Sequence, residues 1–148
     1  MAERELAARA LETAKSRGAS YADIRITRYL RQAINTREKR VTNITNSESF
    51  GFGVRVLVDG TWGFAASQRV EPAEIDRIIE VAVGIARANR RAQSKPVVLA
   101  PVKSYKDTWQ TPTSKDPFKV PIERKIDLLL AINAAAWGTR IWSERRAG

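Results

Sequence analysis

The sequence predicts an α+β fold: a two-layer sandwich of an antiparallel sheet with two packed helices, followed by a proline-rich connector and a further helix. Three observations predict it. Apolar residues alternate with period two from Tyr21, two apolar runs flank Asp59-Gly60, and helical stripes lie near the N-terminus and after Pro72. At 148 residues the chain suits one ordinary domain with a tail, and 43% hydrophobic content argues against wholesale disorder. The expected boundaries are 1–93 for the α+β domain, 94–120 for the extended connector, 121–137 for the further helix and 138–148 for an irregular tail.

The first helix is expected from about Glu3 to Arg17. Leu6, Ala10, Leu11 and Ala14 share a face, Glu3 and Glu5 lie near its start, Lys15 and Arg17 near its end, and Gly18 stops it. A half-buried strand follows, with Ala22, Ile24 and Ile26 alternating against Asp23, Arg25 and Thr27. A second strand is read at Ala33, Ile34 and Asn35, a polar turn at Thr36-Arg37-Glu38-Lys39-Arg40, and a further strand at Val41, Asn43 and Thr45. Residues 49–58 and 61–66 are apolar runs around Asp59-Gly60, the strongest short-range hairpin signal in a single sequence. Pro72 opens a helix of about twenty residues whose stripe is Ile75, Ile78, Ile79, Ala82, Val83, Ile85 and Ala86. Val97-Val98-Leu99-Ala100 reads as a short edge strand before Pro101, Pro112, Pro117 and Pro121. The helix after Pro121 is apolar over more than half its girth and therefore wants a partner surface.

Composition removes whole classes of chemistry. The chain has no histidine and no cysteine, so a Cys/His zinc cluster, a Ser-His-Asp site and any disulfide are excluded. No catalytic, cofactor-binding or metal-ligating residue is expected. Asp59 is accounted for by its turn, and Asp107 and Asp116 lie in the connector with no pattern that brings their oxygens to one metal. Gly51, Gly53, Gly60 and Gly63 sit within and between strands, whereas a phosphate cradle needs its glycines between a strand and a helix N-terminus. No apolar run approaches 18 residues and no secretory h-region is present. A cytoplasmic location without membrane association is the expectation.

The formal net charge is +10. Residues 84–106 carry six cations and no acid, and residues 24–46 carry six cations against Glu38. Such patches can neutralise phosphates, with Tyr29, Phe50, Phe52, Trp62 and Phe64 as stacking platforms, so a stand-alone basic nucleic-acid-binding module is the alternative function. Nucleic acid is the less favoured partner, because arginines also alternate outward on strands as ordinary solvated groups. The candidate substrate or partner surface is Arg55, Trp62, Gly63 and Phe64: large side chains beside a bare backbone, suited to an extended peptide if the strand lies at an edge.

The segment Gly51-Phe52-Gly53-Val54-Arg55-Val56-Leu57-Val58-Asp59-Gly60-Thr61-Trp62-Gly63-Phe64-Ala65 closely resembles the N-terminal domain of the TldD/PmbA family, once called modulators of DNA gyrase. Gly18-Ala19-Ser20-Tyr21-Ala22-Asp23-Ile24-Arg25, the helix after Glu71-Pro72, Tyr105-Lys106-Asp107-Thr108-Trp109, Asp116-Pro117-Phe118-Lys119-Val120-Pro121 and Lys125 extend the resemblance over about residues 5–137. The connector pieces look more like the TldD branch than its PmbA (TldE) partner. The resemblance implies a cytoplasmic zinc metalloprotease acting on unfolded or peptide substrates, as a complex of TldD-like and TldE-like subunits. The family's His-Glu-x-x-x-His motif lies well downstream, with another ligand supplied later, so zinc belongs to the intact parent protein and to no residue here. The chain is expected to be the non-catalytic N-terminal fragment, framing the substrate path and the contact with a TldE/PmbA-like subunit or a second copy. Two departures stand out. The turn at 36–40 lacks the family's glycine, and after Ala134-Ala135-Ala136 the sequence reads as a truncated or frame-shifted continuation.

Overall fold

The computed structural model describes residues 3–145, and side chains as far as Trp137. The elements are α1 (Glu3–Ser16), β1 (Tyr21–Arg37), β2 (Arg40–Val58), β3 (Thr61–Ser67), α2 (Pro72–Asn89) and α3 (Ile122–Arg145), with a 3₁₀ turn at Pro117–Lys119. The strands form one antiparallel sheet in the order β1-β2-β3, so β1 and β3 are its edges. The α+β class expected from the sequence is the one observed. The chain divides into two compact units: Met1–Tyr29 with Glu48–Ser104, and Leu30–Ser47 with Tyr105–Gly148.

In the first unit, α1 and α2 cover one face of the sheet. Phe52, Val54, Val56 and Val58 alternate toward the helices and meet Ile75, Ile78, Ile79, Ala82, Val83 and Ala86 of α2 and Leu6, Ala10 and Ala14 of α1. Ile75, Ile79, Val54 and Val56 are the largest fully buried side chains. Ile85 and Leu11, both expected on buried stripes, are 38% and 44% exposed because they sit at the margins of those faces. The two helices are cross-linked at the surface: Arg9 donates to Asp76 through Nε at 3.1 Å and Nη2 at 2.5 Å, and the Thr13 hydroxyl donates to the same carboxylate.

Gly18 ends α1 at φ +91°, where its N–H reaches the Lys15 carbonyl at 3.0 Å and the Ala19 N–H reaches Ala14 at 3.0 Å. This pair of bonds is a Schellman cap and satisfies carbonyls the helix leaves open.

β3 fixes the distance between the layers. Val54, Val56 and Val58 pair with Ala65, Gly63 and Thr61. A Cβ on Gly63 would lie 1.9 Å from the Ala82 carbonyl oxygen and 2.8 Å from the Ala86 nitrogen. The α2 backbone therefore rests directly on the β3 backbone, with small residues on both sides.

The β2–β3 turn has Asp59 and Gly60 at φ +49° and +74°, the geometry of a type I′ hairpin. Gly60 also receives the start of the connector: its carbonyl accepts from the Val97 N–H at 2.8 Å and Gln93 Nε2 at 2.7 Å, while a Cβ there would sit 2.5 Å from Pro96. Residues 97–100 do not form the edge strand expected of them. Pro96 and Pro101 remove ladder donors, and Val98 is 87% exposed.

Glu74 is a buried carboxylate in the first turn of α2. It accepts from Arg77 Nε at 2.8 Å and Nη2 at 2.7 Å, from Ser67 Oγ at 2.6 Å and from Arg69 Nη2 at 2.8 Å. The Arg77 hydrogen bonds, then that of Ser67, outweigh burial and hold its pKa at about 2.

The second unit contains the far end of the β1–β2 hairpin and α3. The sequence suggests separate strands here, but β1 and β2 each run unbroken, since no proline or glycine interrupts 30–47. Alternation fades because consecutive residues Gln32, Ala33 and Ile34 are all half-buried. Glu38 in the turn takes φ +56°, a conformation costing a side-chain-bearing residue about 1 kcal/mol. Asn133 Nδ2 of α3 donates to Thr36 Oγ1 at 3.0 Å and to the Glu38 carbonyl at 3.1 Å, and Lys125 Nζ donates to Gln32 Oε1. α3 continues to Arg145, correcting the helix end expected at 137 and the irregular tail after it. Gly138 alone does not break a helix that contains no proline.

Two outcomes follow for stability. Gly63→Ala is expected to destabilise the chain by about 3 kcal/mol, whereas Gly84→Ala, whose Cβ meets nothing within 4 Å, should stabilise it by about 1 kcal/mol; urea melts of both variants measure this. Because the Glu74 pKa is lowered on folding to about 2, its contribution is present above the usual glutamate range and lost as pH falls toward that value. Glu74→Gln should therefore flatten the acid limb of the stability–pH curve between about pH 5 and 2.

Candidate functional site

The sheet face opposite the helices of the first unit is uncovered, and alternation decides what it shows. Tyr21, Asp23, Arg25, Thr27 and Tyr29 project there from β1, Gly53 and Arg55 from β2, and Trp62, Phe64 and Ala66 from β3. A shallow trough of about 640 Å³ runs over Arg25, Tyr29, Gly53, Arg55 and Phe64.

Arg55 organises one end of this face. Its Nε and Nη2 lie 2.8 and 2.7 Å from Asp23 Oδ2, and its Cζ sits 4.7 Å from the centre of the Trp62 ring. Tyr21 meets Trp62 edge to face, with centroids 5.8 Å apart and planes at 89°. The Asp23 hydrogen bond, then its charge, raises the Arg55 pKa above the ordinary guanidinium value. This is a rigid polar and aromatic platform with no group poised for proton transfer.

Phe64 lies opposite Arg55 in the ladder and is 59% exposed. Its ring leans over Gly53, where a Cβ would come within 3.0 Å of the ring edge. Of the four residues expected to form one surface, Arg55, Trp62 and Phe64 share this face. Gly63 does not, because the strand's period of two turns it to the opposite side, against α2. β3 is an edge strand, as peptide addition requires, although Asn89 Nδ2 donates to the Trp62 carbonyl at 3.2 Å. Tyr21, Asp23, Arg25 and Tyr29 also belong to the face; the outward half of the β1 alternation signals all four, and the basic run and the stacking aromatics signal Arg25 and Tyr29 as well.

The stacking platforms suggested by the sequence are largely committed elsewhere. Phe52 is buried in the core, Trp62 is held by Tyr21 and Arg55, and Phe50 lies under Arg28 with Cζ 4.6 Å from its centre. Many arginines are likewise paired: Arg28 with Glu48, Arg17 with Glu80, and Arg69 and Arg77 with Glu74.

The residues present do not fit a zinc site. Histidine and cysteine are absent from the sequence, and among the described residues no three carboxylates come together. Asp107 Oδ1 accepts from the Thr108 N–H at 2.7 Å and Asp116 Oδ1 from the Phe118 N–H at 2.8 Å, so both serve local turns. No helix among the described residues is long and apolar enough to cross a membrane.

Comparison with known proteins places this geometry. Residues 22–86, from β1 through nearly all of α2, match the model described as PmbA/TldA metallopeptidase domain 1. Residues 22–86 thus carry the first domain of the PmbA/TldA metallopeptidase family. The chain is 29% identical over 110 residues to a metalloprotease of Methanocaldococcus jannaschii, covering 74% of this chain and 24% of that protein. It is 30% identical over 79 residues to a zinc metalloprotease TldD homolog of Saccharolobus solfataricus, covering 53% of this chain and 18% of that one. The chain thus spans about a quarter or less of the length of these relatives. A crystal structure from Bacteroides thetaiotaomicron, provisionally described as a modulator of DNA gyrase, superposes with a TM-score of 0.59 at 18% identity. It covers 87% of this chain and 29% of its own, and shows the shared fold.

The Arg55–Asp23 pair of the TldD/PmbA domain is part-exposed, with side-chain exposures of 43% and 24%. A double-mutant cycle with Arg55→Ala and Asp23→Ala is expected to return a coupling of about 0.5–1 kcal/mol, well short of a buried pair; chemical denaturation of the four proteins measures it.

Proposed function

We propose that this chain is the non-catalytic N-terminal part of a TldD-like zinc metalloprotease and that the open sheet face frames the path of an unfolded or peptide substrate beside a TldE/PmbA-type subunit. The zinc, its ligands and the water-activating group then belong to sequence outside this chain. The observation that carries the reading is Phe64, a large apolar side chain left 59% exposed on an edge strand and seated over Gly53. Exposed apolar surface on a rigid strand suits an extended polypeptide or a protein subunit. Arg55 and Trp62 beside it form a preset platform, so little side-chain ordering has to be added on binding. A cytoplasmic setting belongs to this reading.

The test is calorimetric titration of the chain with a TldE/PmbA-like subunit and with a reduced, carboxymethylated polypeptide. Binding to at least one that survives a rise from 50 to 300 mM salt, that falls at least about tenfold in Phe64→Glu and that persists in Phe64→Leu is expected. The chain alone should not cleave the polypeptide with zinc added. Cleavage by the chain alone, or a Phe64→Glu variant that binds as well as the parent, would overturn the reading.

A further inference from the structure

In the first unit some cations are paired with carboxylates and others, Arg90 and Arg91 among them, have no carboxylate partner among the described residues. Arg9, Arg17, Arg28, Arg55, Arg69 and Arg77 each have a carboxylate partner, whereas Arg37, Lys39 and Arg40, at the tip of the β1–β2 hairpin, pair with no carboxylate among the described residues. The tip is nevertheless held in place. Asn133 donates to Thr36 Oγ1 and to the Glu38 carbonyl, fixing a turn whose Glu38 has φ +56°. Beside it opens a cavity of about 630 Å³ lined by Glu38, Lys39, Arg40, Asn133, Ala134 and Trp137. Trp137 is 47% exposed and has no aromatic or cation–π partner among the described residues, unlike Trp62.

We infer that the hairpin tip and α3 form a binding site for single-stranded nucleic acid, with one base stacked on the Trp137 indole and the flanking phosphates on Lys39 and Arg40. Each element of the site answers one part of that ligand. The indole offers a flat apolar face that any base can cover. The two cations supply point and forked donors for phosphate oxygens, and the Asn133 anchor keeps the turn from moving as the ligand arrives. Glu38 also lines the cavity, so the site takes the two phosphates that flank one base and not a dense cluster of negative charge. A purely acidic polypeptide satisfies Lys39 and Arg40 but leaves the indole uncovered. This site is separate from the sheet face proposed for polypeptide and stands independently of it.

A fluorescein-labelled twelve-nucleotide oligothymidylate, followed by anisotropy and by quenching of protein fluorescence, tests the inference on the full chain. Binding is expected, with Trp137→Ala weakening it roughly tenfold or more and Trp137→Phe retaining most of the affinity while losing part of the quench. The double variant Lys39→Gln with Arg40→Gln should make the slope of log K against log salt shallower by about 1.4, two phosphates' worth for a single strand. Arg90→Ala with Arg91→Ala, which removes equal charge from the other unit, should leave affinity within about twofold. Circular dichroism confirms that each variant is folded. Absence of binding, equal binding of polyglutamate, equal loss in the Arg90 and Arg91 variant, or no loss in both tip variants would each overturn the site.

Discussion

The first unit depends on one contact, the α2 backbone resting on the β3 backbone at Gly63. Only hydrogen fits between that Cα and the Ala82 carbonyl, and Ala82 and Ala86 keep the helix side equally thin. With the layers so close, Val54, Val56, Ile75 and Ile79 are the largest side chains fully buried between them. Glu74, more than two helical turns before Ala82, is buried where the first turn of α2 meets the end of β3, and Ser67, Arg69 and Arg77 satisfy it there.

Closeness on one side sets the character of the other. A strand that turns Gly63 inward must turn Trp62 and Phe64 outward, so the tight helix contact and the open aromatic face are two results of one alternation. Gly53 repeats the device on the open face, where the missing side chain gives the Phe64 ring a seat. The TldD/PmbA domain thereby obtains a rigid surface from its core spacing, with Asp23 and Arg55 locking the neighbouring ring in place.

What could be read from the sequence was what is local. Gly18, Asp59-Gly60 and Pro72 act within a few residues, and each stands at the turn or cap its chemistry implies. The alternation that carries Trp62 and Phe64 outward puts Gly63 on the core side, but a glycine has no side chain by which the sequence marks that position as buried. Asp23 and Arg55 are 32 residues apart, so their pairing depends on the register of β1 against β2, which composition does not encode. The far hairpin hid its continuity, since a ribbon half-covered on one side shows weak alternation, and the true end of α3 lies beyond the point where its apolar stripe gives out. Asn133, which ties that helix to the hairpin, reads in the sequence as one polar residue on an apolar face.

β1 presents 17 residues at the rim of the sheet. A rim of that length is a template on which further strands can grow, and nothing in its backbone forbids addition. Arg25, Arg28, Arg31 and Arg37 recur along it at every third or sixth residue. Two copies meeting rim to rim would set Arg31 and Arg37 against like charge, an electrostatic guard that Asp23 and Glu48 offset at Arg25 and Arg28. Such a guard weakens as salt shortens the reach of charge. Colloidal behaviour, unlike the fold itself, is thus tied to the ionic strength of the surroundings.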